Sequence, residues 1–122
     1  MTEQSEFMNN VLEILSPLGD VITKRMFGGY GIFLDAKMFA LVNKAEELFL
    51  KADDQNKQAF IDQGSTTHGK MPYYAVPPEA LEGWTQMQPW AEGAVGAAMR
   101  TAKKLYSPRI NLALFDNTQR KT

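Results

Sequence analysis

The sequence predicts an α+β domain in which an antiparallel β-meander is flanked by helices, and three observations carry that expectation. Apolar residues near the start recur at helical spacing. Between residues 21 and 51, runs rich in β-branched and aromatic residues are separated by very short polar turns. Toward the end, after one more β-like segment, mostly small residues recur at helical spacing. The expected order is α-β-β-β-β-α-β-α-α.

Each element follows from its residues. Phe7, Met8, Val11, Leu12, Leu15 and Leu18 lay one stripe along a helix of about residues 4 to 16, and Ser16-Pro17 and Gly19 end it. Val21-Ile22-Thr23-Lys24-Arg25-Met26-Phe27 reads as a strand, Gly28-Gly29-Tyr30-Gly31 as a bend, and Ile32-Phe33-Leu34 as the next strand. Asp35-Ala36-Lys37 turns into Met38-Phe39-Ala40-Leu41-Val42, and Asn43-Lys44-Ala45-Glu46 turns into Glu47-Leu48-Phe49-Leu50-Lys51. Connections this short force antiparallel neighbours, because a parallel crossover needs a dozen residues or so.

Asp53 or Asp54 is then expected to cap a helix through Ala59, Phe60 and Ile61, with Gly64 as its left-handed stop. Residues 65 to 70 read as a polar loop. Met71-Pro72-Tyr73-Tyr74-Ala75-Val76 reads as a strand that Pro72 confines to an edge or a start. Pro78 opens a short helix closed by Gly83. Pro89 heads a longer one along Trp90, Ala94, Ala97, Ala98, Thr101, Ala102 and Leu105, up to Ser107-Pro108. From Arg109 the alternation of Ile110, Leu112 and Leu114, followed by Phe115, is strand-like. The expected division is one domain over residues 1–108 and a basic, apolar tail over 109–122.

Composition narrows the function classes. A chain of 122 residues has room for one core, and 44% hydrophobic with 22% charged residues is ordinary for a globular protein. No apolar run approaches the ~18 residues of a membrane span. The polar start is unlike a signal peptide, so a cytoplasmic address is expected. The absence of cysteine removes disulfides, thiol nucleophiles and Cys-based metal sites. The formal charge of −1 conceals an asymmetry. Residues 1–99 carry seven Lys/Arg against thirteen Asp/Glu, and residues 100–122 carry six against one. An acidic body thus joins a basic end, a pattern shared by anion-binding surfaces and by ordinary helix C-termini.

Groups able to do chemistry are sparse, and a non-enzymatic domain without cofactor or metal is expected. His68, the single histidine, falls in a loop with no partner base named by any motif. Asp20, Asp35, Glu46 and Glu47 are turn residues without metal-ligand spacing, and there is no Gly-x-Ser-x-Gly elbow. The glycine run at 28–31 leads into a strand, whereas phosphate-cradling glycine loops lead into a helix. A bend or close backbone approach is the expected role of Gly28, Gly29 and Gly31.

Two segments also carry a resemblance. Arg25-Met26-Phe27-Gly28-Gly29-Tyr30-Gly31-Ile32-Phe33, followed by Lys37-Met38-Phe39-Ala40-Leu41-Val42, resembles the opening of the N-terminal domain of the TfoX/Sxy family. Met71-Pro72-Tyr73-Tyr74-Ala75-Val76-Pro77 is similar to that family's Met-Pro-Tyr-Tyr strand, and the likeness spans roughly residues 8 to 106. It implies a secretion-chaperone-like α+β fold and a setting in competence regulation, where members act as transcriptional co-activators with the cyclic-AMP receptor protein. Members with that role usually carry a second, helical domain, for which the tail after Pro108 is too short.

Two functional readings result. The first is a regulatory domain that binds a protein, a transcription factor or another copy of itself, through Arg25, Phe27, Tyr30, Tyr73, Tyr74, Ile110, Leu112 and Phe115. Aromatic residues are enriched in interface cores. The second is direct DNA binding through Lys24, Arg25, Arg100, Lys103, Lys104 and Arg109, of which Arg100, Lys103 and Lys104 share a helical face. A small-ligand site at the glycine bend ranks behind both.

Overall fold

A computed structural model describes residues 5–26 and 28–110, with the side chains of 102–110 excepted. Helix α1 spans Glu6–Leu15 and starts where the Ser5 hydroxyl accepts the Met8 N–H at 3.2 Å, leaving Glu6 in the first turn where the dipole favours an acid. A 3-10 turn at Ser16–Leu18 leads into four consecutive strands: β1 (Val21–Met26), β2 (Gly29–Leu34), β3 (Lys37–Val42) and β4 (Leu48–Lys51). Helix α2 (Lys57–Gln63) follows, then β5 (Tyr73–Ala75), a 3-10 turn at Pro78–Glu82 and the long helix α3 (Trp84–Ile110). The order of the nine main elements is the one read from the sequence.

All five strands form one antiparallel sheet in chain order, β1-β2-β3-β4-β5. Two-residue turns close the first two hairpins, since Met26 pairs with Gly29 and Leu34 with Lys37. The second turn sets Asp35 at φ 52° and Ala36 at φ 66°, the left-handed pair that a tight hairpin demands. Asn43 shapes the third turn. Its Oδ1 accepts the N–H groups of Ala45 and Glu47 at 3.0 and 2.9 Å, and its Nδ2 donates to Glu47 Oε1 at 2.8 Å. A register shift adds one residue to β3, so Phe39 and Ala40 are both buried in succession, which strict alternation does not anticipate.

The helices all lie on one face. Met8, Val11, Ile14 and Leu15 of α1, Phe60 of α2, and Met87, Ala91, Ala94 and Ala98 of α3 share a core with Ile32, Phe39, Ala40, Val42, Leu48 and Leu50 of the sheet. The alanines let α3 lie directly against β3 and β4. Phe60 stacks on Tyr74 with ring centroids 5.3 Å apart and meets Trp90 at 5.0 Å, tying α2 to β5 and α3.

Several boundaries differ from expectation, among them the start of β2, which begins at Gly29 and takes in most of the glycine run read as a bend. Helix α3 begins at Trp84, five residues before Pro89, and continues through Pro108 to Ile110. The backbone at Ile110 is therefore helical, and the predicted alternation of Leu112, Leu114 and Phe115 lies outside the described residues. The N-cap of α2 is Asn56, not Asp53 or Asp54; it makes no side-chain cap, and its Oδ1 accepts the Asp53 N–H at 2.7 Å. Gly64, with φ 86°, closes α2 as expected.

Candidate functional site

Strand alternation sorts the two signature segments onto both faces of the sheet. Arg25 pairs with Tyr30 on the helix-covered face, where Tyr30 packs half-buried against the main core. Lys24 pairs with Gly31 on the opposite face. That second face has its own smaller cluster, to which no helix contributes: Leu41, Phe49 and Tyr73 are buried, with Met38, Met71 and Ala75 packed around them. Ile22, Met26 and Phe33 extend the same face toward β1 by the period of two.

This helix-free face is unevenly covered. At the β5 side the segment after α2 folds back along the sheet. The His68 N–H donates to the Tyr73 carbonyl at 2.9 Å, and the His68 ring meets Phe49 edge-on at 5.1 Å. His68 lies in the loop expected for it, but its ring packs over Phe49. At the β1 side Ile22 is 56% exposed, the most open large apolar side chain among the described residues.

The glycines serve the hairpin that carries these residues. Gly28 has φ 75°, and a Cβ on Gly29 would stand 1.9 Å from the Val42 carbonyl oxygen, closer than any side chain can approach. A Cβ on Gly31 would meet the sulfurs of Met26 and Met38 at 2.8 Å, so that glycine seats two methionines on the helix-free face. Beside the hairpin lies a crevice of about 180 Å³, bordered by Arg25, Lys44, Gly29 and Ser5.

The cations divide into occupied and available groups. Arg100 Nε donates to Asp53 Oδ2 at 2.6 Å and its Nη2 to Asp53 Oδ1 at 2.9 Å, a two-pronged ion pair joining α3 to the segment before α2. Those hydrogen bonds hold the Asp53 carboxyl down at about 2. Lys51 lies over the Tyr73 ring at 5.0 Å; burial lowers its pKa and pushes the Tyr73 hydroxyl up to about 12. Lys24 rests over Phe33 at 5.2 Å and Arg25 over Tyr30 at 5.7 Å, and neither pairs with a carboxylate among the described residues.

The predicted site residues therefore do not converge. Arg25 and Tyr30 lie at one side of the sheet and Tyr73 and Tyr74 at the other, four strand spacings or about 19 Å from Arg25 on β1 and three spacings from Tyr30 on β2. Tyr73 is only 4% exposed and Tyr74 is stacked on Phe60, so both act as fold residues. Arg100 is engaged by Asp53 and is not a free phosphate ligand. Lys103, Lys104, Arg109 and Ile110 stand on α3 beyond the described side chains, and Phe27, Leu112 and Phe115 lie outside the described residues. Ile22 was missed. The adjacent apolar pair Val21-Ile22 was its signal, because neighbours in a strand point to opposite faces.

Taken together, these elements form an α+β sheet with helices on one face, its helix-free face covered at β5 and exposing Ile22 at β1. Among known families, the TfoX N-terminal domain matches residues 13–98, more than two-thirds of the chain. The chain belongs to the TfoX N-terminal domain family. No curated protein matches it significantly. No helix among the described residues is long and apolar enough to cross a membrane.

Proposed function

We propose that this chain is a non-enzymatic, cytoplasmic regulatory domain of the competence-related type, acting by contact with a protein such as a transcription factor. One observation carries the reading: the helix-free face is sealed at β5 and open at β1, where Ile22 is 56% exposed beside Lys24 and Phe33. Exposed apolar surface beside an aromatic ring supports contact with a partner, since aromatic residues are enriched in interface cores. Membership of the TfoX N-terminal domain family supports the regulatory setting, and the resemblance described above makes the cyclic-AMP receptor protein the first partner to test.

Direct DNA binding has less support. Its central residue, Arg100, is committed to Asp53, and the acidic body of the chain opposes a duplex. The test is a titration of the full chain into the receptor with cyclic AMP and promoter DNA. The expected result is a supershifted ternary complex and no shift of DNA by the chain alone. Retardation of naked DNA at micromolar chain, steeply weakened by salt, would overturn the protein-contact reading in favour of the nucleic-acid one.

A further inference from the structure

The two edges of the sheet are treated differently. β5 is covered: the Thr66 carbonyl accepts the Ala75 N–H at 2.8 Å, the His68 N–H donates to the Tyr73 carbonyl, and Thr67 bridges Tyr74 antiparallel. β1 pairs with β2 alone among the described residues. A six-residue edge without proline turns the N–H and C=O groups of alternate residues outward, able to template another strand, while the Val21 N–H at its start already donates to the Gly19 carbonyl at 2.9 Å.

Natural edges are commonly blunted by charges that stand in the way of a newcomer. β1 has two cations, yet each lies back over a ring of β2, Lys24 on Phe33 and Arg25 on Tyr30. Among the described residues nothing pairs with this backbone edge, and positive charge is held beside it on both faces of the sheet. Ile22 adds an apolar contact on the Lys24 face.

We propose that β1 is the docking edge for an extended acidic segment of a partner protein, which joins the sheet as a sixth strand. The proposal rests on the protein-contact reading above and supplies its chemistry. Main-chain hydrogen bonds give such an addition its affinity, and alternate side chains give its specificity. Paired antiparallel to β1, the partner reads acidic, acidic, β-branched, apolar from N to C. Its acids face Arg25 and then Lys24, and its apolar residue faces Ile22. A second copy is a poor occupant, because Val21–Met26 contains no acid and every antiparallel self-pairing sets four cations on one short ladder.

The test titrates the full chain with the synthetic peptide acetyl-Val-Glu-Glu-Thr-Ile-Val-amide, followed by backbone amide NMR. Chemical-shift changes and slowed exchange confined to residues 21–26 are expected. The double variant Lys24→Glu/Arg25→Glu should weaken binding about tenfold or more and should gain binding to the peptide with Lys in place of both Glu. That gain keeps the test valid, since an unfolded variant could not show it. Shifts centred away from β1, equal binding of the Glu and Lys peptides by the wild type, or a peptide-free dimer with protected β1 amides would each overturn the proposal. Undiminished binding of the receptor by the charge-reversed chain would overturn the edge alone and leave the protein-contact reading standing.

Discussion

The two sides of the helix-free face share one strand alternation and end in opposite states. Toward β5, Leu41, Phe49 and Tyr73 are at most 5% exposed, roofed by Met38, Met71 and the His68 ring. Toward β1, Ile22 keeps more than half of its surface. Strand periodicity decides only which face a side chain occupies, and burial then depends on what lies above it. Here one returning segment after α2 covers both the β5 edge and the face beside it. That covering segment has no counterpart over the β1 end among the described residues.

Substitutions on the two sides should differ most. Phe49→Ala removes a buried ring and the seat of His68, and is expected to cost about 3–5 kcal/mol in urea unfolding, whereas Ile22→Thr should stay within about 0.5 kcal/mol. A cost for Ile22→Thr comparable to that of Phe49→Ala would mean that the β1 side is covered after all. Next in size, Gly29→Ala drives a Cβ into the Val42 carbonyl and should cost about 3 kcal/mol, at a buried position where the backbone leaves no room for a side chain. The measurement is again the urea midpoint, with exchange of the β2 and β3 amides locating the damage.

Three smaller effects concern pH and turn geometry. Because Arg100 holds the Asp53 carboxyl near 2, the unfolded chain binds the proton more tightly, so the stability this pair supplies is present above about pH 4 and is lost as pH falls toward 2. The difference in urea midpoint between wild type and Asp53→Asn should shrink over that window. Tyr73 behaves in the opposite sense: with its hydroxyl raised to about 12, its contribution is lost as pH climbs from 10 to 12. Smallest of all, Ala36→Gly relieves φ 66° in the β2–β3 turn and should stabilise by about 0.5–1 kcal/mol, read as a rise in melting temperature.

Much of this architecture was legible along the chain because its signals are local. The stripe from Met8 to Leu15, the glycines at 28–29 and the stop at Gly64 depend on neighbours within a few residues. Pro72 correctly confined Tyr73–Ala75 to an edge, since a residue without an N–H cannot serve a central ladder. The candidate site was less legible. Nothing local links Arg100 to Asp53, forty-seven positions apart, and Tyr73 and Tyr74 look alike in sequence although one fills the small cluster and the other stacks on Phe60. The extra residue in β3 likewise escapes a strict period of two.

The sequence by itself determined the element order, the antiparallel meander and the family, because short turns, periodic apolar residues and two signature segments are encoded in adjacent positions. Only the tertiary structure decided which side of each strand is covered, which cations are spent in ion pairs and which edge of the sheet the segment after α2 covers. The physical reason is that burial and pairing are properties of surfaces brought together from distant parts of the chain, and no stretch of neighbouring residues contains them.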